Sequence, residues 1–578
     1  MAAQQPIKVV PNWQDVNLAE SLGLDLTDDS ESTRDEALLQ AVNFVARGDS
    51  LEIDNGTAIY NHGVWGTPRA VASVITIGGD PKNFLFTNKA VYEDTVGEWK
   101  ALADQAAPAS TTISGNVSAG ALSIPVTSSA GWAPGDVFRL TLDSGKYFTQ
   151  EIVTITAGPV FNFTTGVTSA ATSGNAVVKA YILAGNDVYP FHWVQTPFAD
   201  HIIFVNYGNH VKTLDINTLT IIDTPDLPAA CGAINVTVWD NSVFLFGTVE
   251  VGIRYPRRYR YSAAGDDTDW TTVGDAGYGD LYDSTEAILS GKQIGPYMAV
   301  YRTNSIVRFE PTGDATRRFD TPTVVTGTGL IGTRAIMSID NNTHIGMSRE
   351  NVFIYSGGFT TTPVGDPIVK RLFGRNGTLD LAKGNRVSMV YDKDDKKVCI
   401  FYPTSSSTDG FGDKCLIYNL TKGKWTERIF GFTVSGGGEL IQNGTFVTYP
   451  GAEASYKRII ILLDSVNDTT YEYSNNYTTD SGSNMGSILE TKDFSLADMK
   501  LELDRVCVVL YAPSQATLYY SIDRGANYVS MGTFAPATMQ HQRFFKQIVF
   551  DTIRFKLSSL GLIKVAGFSF KTKIAAEF

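Results

Sequence analysis

Several short stretches of this 578-residue chain carry residue types that could do chemistry. Gly327-Thr328-Gly329-Leu330-Ile331-Gly332 has the glycine spacing that cradles a pyrophosphate. That spacing works only where a strand leads into a helix whose N-terminus meets the phosphates. Here Thr333-Arg334-Ala335-Ile336-Met337-Ser338-Ile339 follows, a strand pattern, so the glycines read as a turn between repeated units. Asp392-Lys393-Asp394-Asp395 offers carboxylates for calcium, yet the sixth loop position lacks glycine and Pro403 occupies the twelfth, so it reads as a hairpin turn. The six histidines, His62, His192, His201, His210, His344 and His541, show no metal spacing and no Ser or Cys partner nearby in sequence. Cys231, Cys399, Cys415 and Cys507 are scattered; Cys399 and Cys415 could face each other across one hairpin, although a reducing compartment favours free thiols. Paired carboxylates abound, and spacing singles out none. No residue is assigned a catalytic, cofactor-binding or metal-binding role, and no cofactor or enzymatic activity is expected.

Two other stretches read as structure. Ser521-Ile522-Asp523-Arg524-Gly525-Ala526-Asn527-Tyr528 resembles the Asp-box hairpin of sialidases, in which the Asp bonds its own turn backbone. A sialidase repeats the box on several blades; this chain has one. In Arg254–Tyr261, Tyr259 and Tyr261 alternate with Arg258 and Arg260, giving a strand with an aromatic and a cationic face. Gly265-Asp266-Asp267-Thr268-Asp269 then forms an Asx-type turn that returns Trp270 over the strand. Salt bridges are the expected use of these arginines on an acidic protein; phosphate contact is the alternative.

The elements that must hold these residues are strands. Between Pro190 and Phe430 one unit recurs: a short apolar-aromatic strand, a tight polar turn, a second strand and a longer loop. The turns Val205–Val211, Trp239–Val243, Tyr301–Ile306, Met347–Val352 and Tyr391–Val398 lie roughly 35–60 residues apart, the period of propeller blades. The pattern predicts an all-β chain: a β-propeller of six or seven blades over 51–107 and 181–479, an inserted small β-domain over 108–180, and a C-terminal β-sandwich over 487–578. Residues 1–50 form an acidic segment with one helix, because Thr33-Arg34-Asp35-Glu36 has capping-box form and Ala37, Leu38, Leu39, Ala41 and Val42 follow. Asp480–Gly486 reads as a linker. The net charge of −13 argues against sequence-reading nucleic-acid binding, while an acidic wall would let DNA slide past without holding it. Basic residues dominate the last segment from His541, which could meet the acidic start of a neighbouring subunit. No apolar run is long enough for a membrane helix, and the first residues lack the layout of a signal peptide, so assembly in a cytoplasm without membrane insertion is expected.

The strand Arg258–Ser262 followed by Gly265–Trp270 resembles the tail nozzle proteins of short-tailed bacteriophages, also called tail accessory or DNA stabilisation proteins. Ala299–Phe309 is similar to that family's strand pair on a turn, Gly346–Gly358 to its next blade, Ile124–Val178 to its inserted domain, and Tyr418–Trp425 to a signature shared with kelch-like propellers. The resemblance spans roughly Asn43–Phe578. It implies a virion structural protein: a homohexameric ring beneath the portal and the tail adaptor or head-completion protein, extending the DNA exit channel, helping to retain the packaged genome and carrying tail fibres or a plug. Double-stranded DNA would pass without being read. Two other readings use the same scaffold, a tail-associated glycan-binding or glycan-hydrolysing propeller and a cellular kelch-like interaction module.

Overall fold

The computed structural model describes residues 12–16, 23–26, 37–47, 50–95, 97–183, 191–207, 209–314, 317–374, 377–443, 456–495 and 499–577. Seven antiparallel meanders follow one another around a closed ring, with first strands beginning at Pro68, His192, Asn235, Ile288, Ile336, Ser388 and Val434. The chain is a seven-bladed β-propeller. Central strands such as Ser242–Glu250 and Lys397–Tyr402 are almost wholly buried, because each blade is covered on both faces by its neighbours. The turns that marked the repeat in sequence fall at different places in successive blades. Trp239–Val243 joins the first two strands of its blade, whereas Tyr301–Ile306 joins the second and third.

Six blades are continuous in sequence. The seventh has three strands of its own, Val434–Asn443, Tyr456–Asp464 and Thr469–Ser474, and takes its fourth, Gly56–His62, from the front of the chain. The inserted domain follows the last strand of the first blade. Its two small sheets, between Ser110 and Lys179, enclose a separate core containing Trp132, Phe138, Phe148 and Phe161.

The C-terminal sandwich is built from both ends of the chain. Asn12–Val16, Phe44–Arg47 and Ser50–Ile53 join Lys564–Glu577, Met499–Tyr511 and Gln540–Phe550 in one sheet. The other contains Ala37–Val42, Gly486–Thr491, Thr552–Leu560, Ala516–Ser521 and Val529–Phe534, and continues through Gly23–Leu24 into the sixth blade. The helix expected over Ala37–Val42 is therefore a strand. Its Ala37, Leu38, Ala41 and Val42 are buried between Gly486–Thr491 and the sixth blade, and sheet pairing on both edges overrides the helical propensity of Ala and Leu. Thr33–Glu36, which would have capped it, lie outside the described residues. The expected slack linker is also pinned: Thr479–Asp480 pairs with Ser483–Asn484, and Asp480 accepts from Arg428 Nη2 at 2.6 Å. The front strand Asn12–Val16 pairs with Phe568–Thr572 of the basic end within one molecule.

Sandwich, sixth blade and seventh blade join at one buried ionic cluster. The Asp54 carboxylate receives Lys397 Nζ at 2.7 Å and the Tyr473 hydroxyl at 2.6 Å, with Arg428 Nε 3.4 Å away. The side chains of Asp54, Lys397 and Arg428 are all fully inaccessible. Lys397 also reaches Asp395 at 3.0 Å, and Arg428 bonds the Asn55 carbonyl and Asn43 Oδ1. The Asp392–Asp395 turn thus serves this cluster and its own backbone: Asp392 Oδ1 accepts the amides of Asp394 and Asp395. Burial opposes the Asp54 charge, and Lys397 and Arg428 more than offset it, leaving its pKa below the ordinary carboxylate value. Asp54→Ala should cost about 3–5 kcal/mol in denaturant unfolding, since it removes the one carboxylate that two fully buried cations share, leaving Lys397 to Asp395 and Arg428 to Asp480. An effect below about 1 kcal/mol, the scale of an exposed pair, would contradict that account.

Blades four and five share a neutral histidine. Tyr301 donates its hydroxyl to His344 Nδ1 at 2.7 Å, and His344 Nε2 donates to the Gln293 carbonyl at 3.0 Å. Burial, then the charge of Lys292, holds the His344 pKa down at about 4, against 6.5 for a free imidazole. The unfolded chain takes up this proton first as pH falls. The contribution is whole above pH 6.5 and is lost as pH drops towards 4, by about 3 kcal/mol. Unfolding free energies measured across that interval should fall more steeply for the parent protein than for His344→Gln; parallel curves would overturn the assignment.

Candidate functional site

Every blade contributes its innermost strand to one central cavity of about 490 Å³. Val71, Trp193, Ile336, Met337 and Met389 give it an apolar wall. The polar wall is ordered by one amide. Asn235 Oδ1 accepts the Gly291 amide at 3.1 Å, which turns Asn235 Nδ2 to donate to His192 Nδ1 at 3.0 Å. His192 must then carry its proton on Nε2 and donate to Thr333 Oγ1 at 2.9 Å. Burial and the charges of Arg334 and Lys292 push the His192 pKa well below its ordinary value, consistent with this neutral tautomer.

Two cations share the cavity. Arg334 donates to the carbonyls of Arg69, at 2.7 Å, and Ser435. A Cβ on Gly436 would come within 2.4 Å of that guanidinium, so a larger residue there would push the Arg334 side chain aside. Burial, reinforced by the nearby Arg69, lowers the Arg334 pKa to about 10. Lys292, two residues after Ser290 on the same strand face, has its pKa lowered by burial alone. Glu439 also lines the cavity, but is bridged to Lys393 at 2.9 Å and Arg458 at 3.2 Å.

The stretches that stood out in sequence lie elsewhere. Gly327–Gly332 is a loop leading into the strand Ile336–Asp340; Gly329 lies on the backbone of Arg302–Asn304, where a Cβ would come within 2.3 Å. The cationic face of the strand Ile253–Tyr261 is internally paired: Arg258 with Asp280 at 2.8 Å and Glu250 at 3.2 Å, Arg260 with Glu250 at 2.7 Å. Its aromatic face packs between blades, Tyr259 against Phe309 and Tyr261 against Phe319. Trp270 is buried with Val205, Val243 and Leu245, and its Nε1 donates to the Asp267 carbonyl at 3.0 Å. Asp267 in turn bonds His201 Nδ1 of the second blade at 2.8 Å. In the Asp-box hairpin Asp523 accepts the Asn527 amide at 2.9 Å and the Ser521 hydroxyl at 2.6 Å; these bonds lower its pKa to about 2. All four cysteines are free and buried. Among the described residues no group of three His, Cys, Asp or Glu side chains could hold a metal.

One outer surface is also distinctive. Gln540–Phe550 is an eleven-residue strand at the edge of the sandwich, paired to Met499–Tyr511 on one side and, among the described residues, to nothing on the other. Phe544, Lys546 and Ile548 turn inward, whereas His541, Arg543, Phe545 and Val549 face out, Phe545 69% and Val549 52% exposed.

No protein-family model and no curated protein matches the chain. Among solved structures it is similar to the β-propeller domain of Cps50 (Swd1) from Myceliophteria thermophila, at 8% identity over 72% of this chain and 99% of that one, with a TM-score of 0.35. It is also similar to a chain of the mitotic checkpoint complex, at 10% identity over 50% of this chain and 89% of that one, with a TM-score of 0.28. Neither likeness bears on what this chain binds.

The central cavity and the sandwich edge were not legible as sites in the sequence. The available signal was Lys292 inside the otherwise half-apolar strand Ile288–Ile294. The Trp270 turn was legible, and Trp270→Ala should cost about 3–5 kcal/mol in thermal or denaturant unfolding. A neutral substitution would mean that the Asp267–His201 contact, not the indole, holds the second and third blades together.

Proposed function

We propose that the chain is a virion structural subunit of the tail-nozzle kind, closing with copies of itself into a ring below portal and adaptor. The observation that carries this reading is the edge Gln540–Phe550, unpaired on its outer side among the described residues. A long strand with exposed Phe545 and Val549 is a template for another chain, and monomeric proteins ordinarily blunt such edges. Its outward Arg543 sits on a chain of net charge −13, so the complementary surface is the acidic remainder of a second copy. A contact between two different surfaces repeats head to tail and closes into a ring when the rotation permits.

The propeller axis is not a path for DNA. Its cavity of about 490 Å³ is walled by Trp193, Met337 and Met389, far too little for a duplex, so any passage lies between copies. Net negative charge around such a lumen would keep DNA from sticking. In this reading the adaptor above and fibres or a plug below are the remaining partners.

Light scattering and negative-stain imaging of the purified protein, alone and with isolated virion tails, should reveal rings with a central opening, loosened by raised salt. A Phe545→Lys, Val549→Lys double variant should keep the parent melting temperature and remain monomeric. Persistent monomers that ignore tails would overturn the nozzle reading. If those monomers bound or cleaved host polysaccharide, the glycan reading would replace it.

A further inference from the structure

Four side chains that carry hydrogen-bond donors, Ser290, Lys292, Thr333 and Arg334, line the propeller cavity. Ser290 is 1% exposed, lines the cavity, and its hydroxyl has no partner among the described residues. Thr333, 3% exposed, accepts from His192 Nε2, so its own hydroxyl proton is free to point into the cavity. Lys292 lines the same space, and no carboxylate among the described residues offsets its charge. Arg334 is held by carbonyls alone. The one lining carboxylate, Glu439, is already bridged to Lys393 and Arg458. A buried donor without an acceptor is costly, and a cation on a cavity wall with no carboxylate to offset it draws an anionic ligand.

We propose that the centre of the propeller binds a small oxyanion, with Lys292 and Arg334 supplying charge and Ser290 and Thr333 supplying hydroxyl donors. The ligand class is a compact organic phosphate or carboxylate. The cavity is larger than a bare ion needs, and its apolar lining of Trp193, Met337 and Met389 suits an apolar or ring-shaped body. The relay from Asn235 through His192 to Thr333 is a positioning device: it fixes which way the Thr333 hydroxyl points. This site requires no assembly partner and stands independently of ring formation.

The test is calorimetric titration of the full chain with inorganic phosphate, ribose 5-phosphate and succinate, alongside melting curves. Saturable binding of at least one probe is expected, with a rise of a few degrees in melting temperature. Ribose 5-phosphate binding more tightly than phosphate would assign the apolar wall to the ligand body; succinate binding best would assign the site to carboxylates. Lys292→Met should weaken the bound probe more than tenfold while melting no lower than the parent, because it removes a half-buried cation that no carboxylate among the described residues offsets. Ser290→Ala should weaken it several-fold in an otherwise unchanged fold. Absence of saturable binding by all three probes, or binding indifferent to both substitutions, would overturn the proposal.

Discussion

Asp54 is the residue on which the architecture closes. It stands in the short connection between Ser50–Ile53, the last front strand of the sandwich, and Gly56–His62, the strand that completes the seventh blade. Its carboxylate accepts from Lys397 in the sixth blade and Tyr473 in the seventh, while Arg428, also in the sixth, ties the same corner to Asn43 and Asp480. An apolar residue there could fill the space but could not fix the angle at which the front strand leaves one domain and enters another. Its centre, Asp54 with Lys397 and Arg428, is fully inaccessible, so its strength depends on all three being present.

That closure explains why the sandwich is not an appendage. Gly23–Leu24 and Ala37–Val42 carry backbone pairing from the sixth blade into the sandwich without a break. Leu38, Leu489, Leu557, Ile400 and Trp425 accordingly belong to one apolar core spanning both units. A contact made at the outer edge of the sandwich is therefore made on the propeller as well, and the proposed ring would be assembled from stiff bodies.

What could be read in the sequence was local. Tyr259, Tyr261 and Trp270 announced themselves because strand alternation and Asx-turn chemistry act over a few residues, and the structure buries Trp270 as that spacing predicts. Ala37–Val42 misled because a strand buried on both faces has no period of two, and its Ala and Leu content mimics a helix after a capping box. The closing strand and the ionic corner were illegible for a different reason. Gly56–His62 finds its partner Thr469–Ser474 some four hundred positions away, and nothing in either segment names the other. The cavity donors share that obstacle: His192, Asn235, Ser290 and Thr333 sit on or beside inner strands of different blades and become neighbours only when the ring shuts.

The front strand also sets a timetable for synthesis. Gly56–His62 leaves the ribosome early, yet its pairing partner is made only after six complete blades have emerged. During that interval Gly56–His62 lacks its sheet and the nascent propeller is an open arc with an uncovered blade face at each end, a state in which sheet proteins readily associate with the wrong chain. Chain ends that later lie side by side in the sandwich are then the last parts to be secured. A messenger truncated anywhere before Thr469 would yield, not a smaller propeller, but an unclosed one.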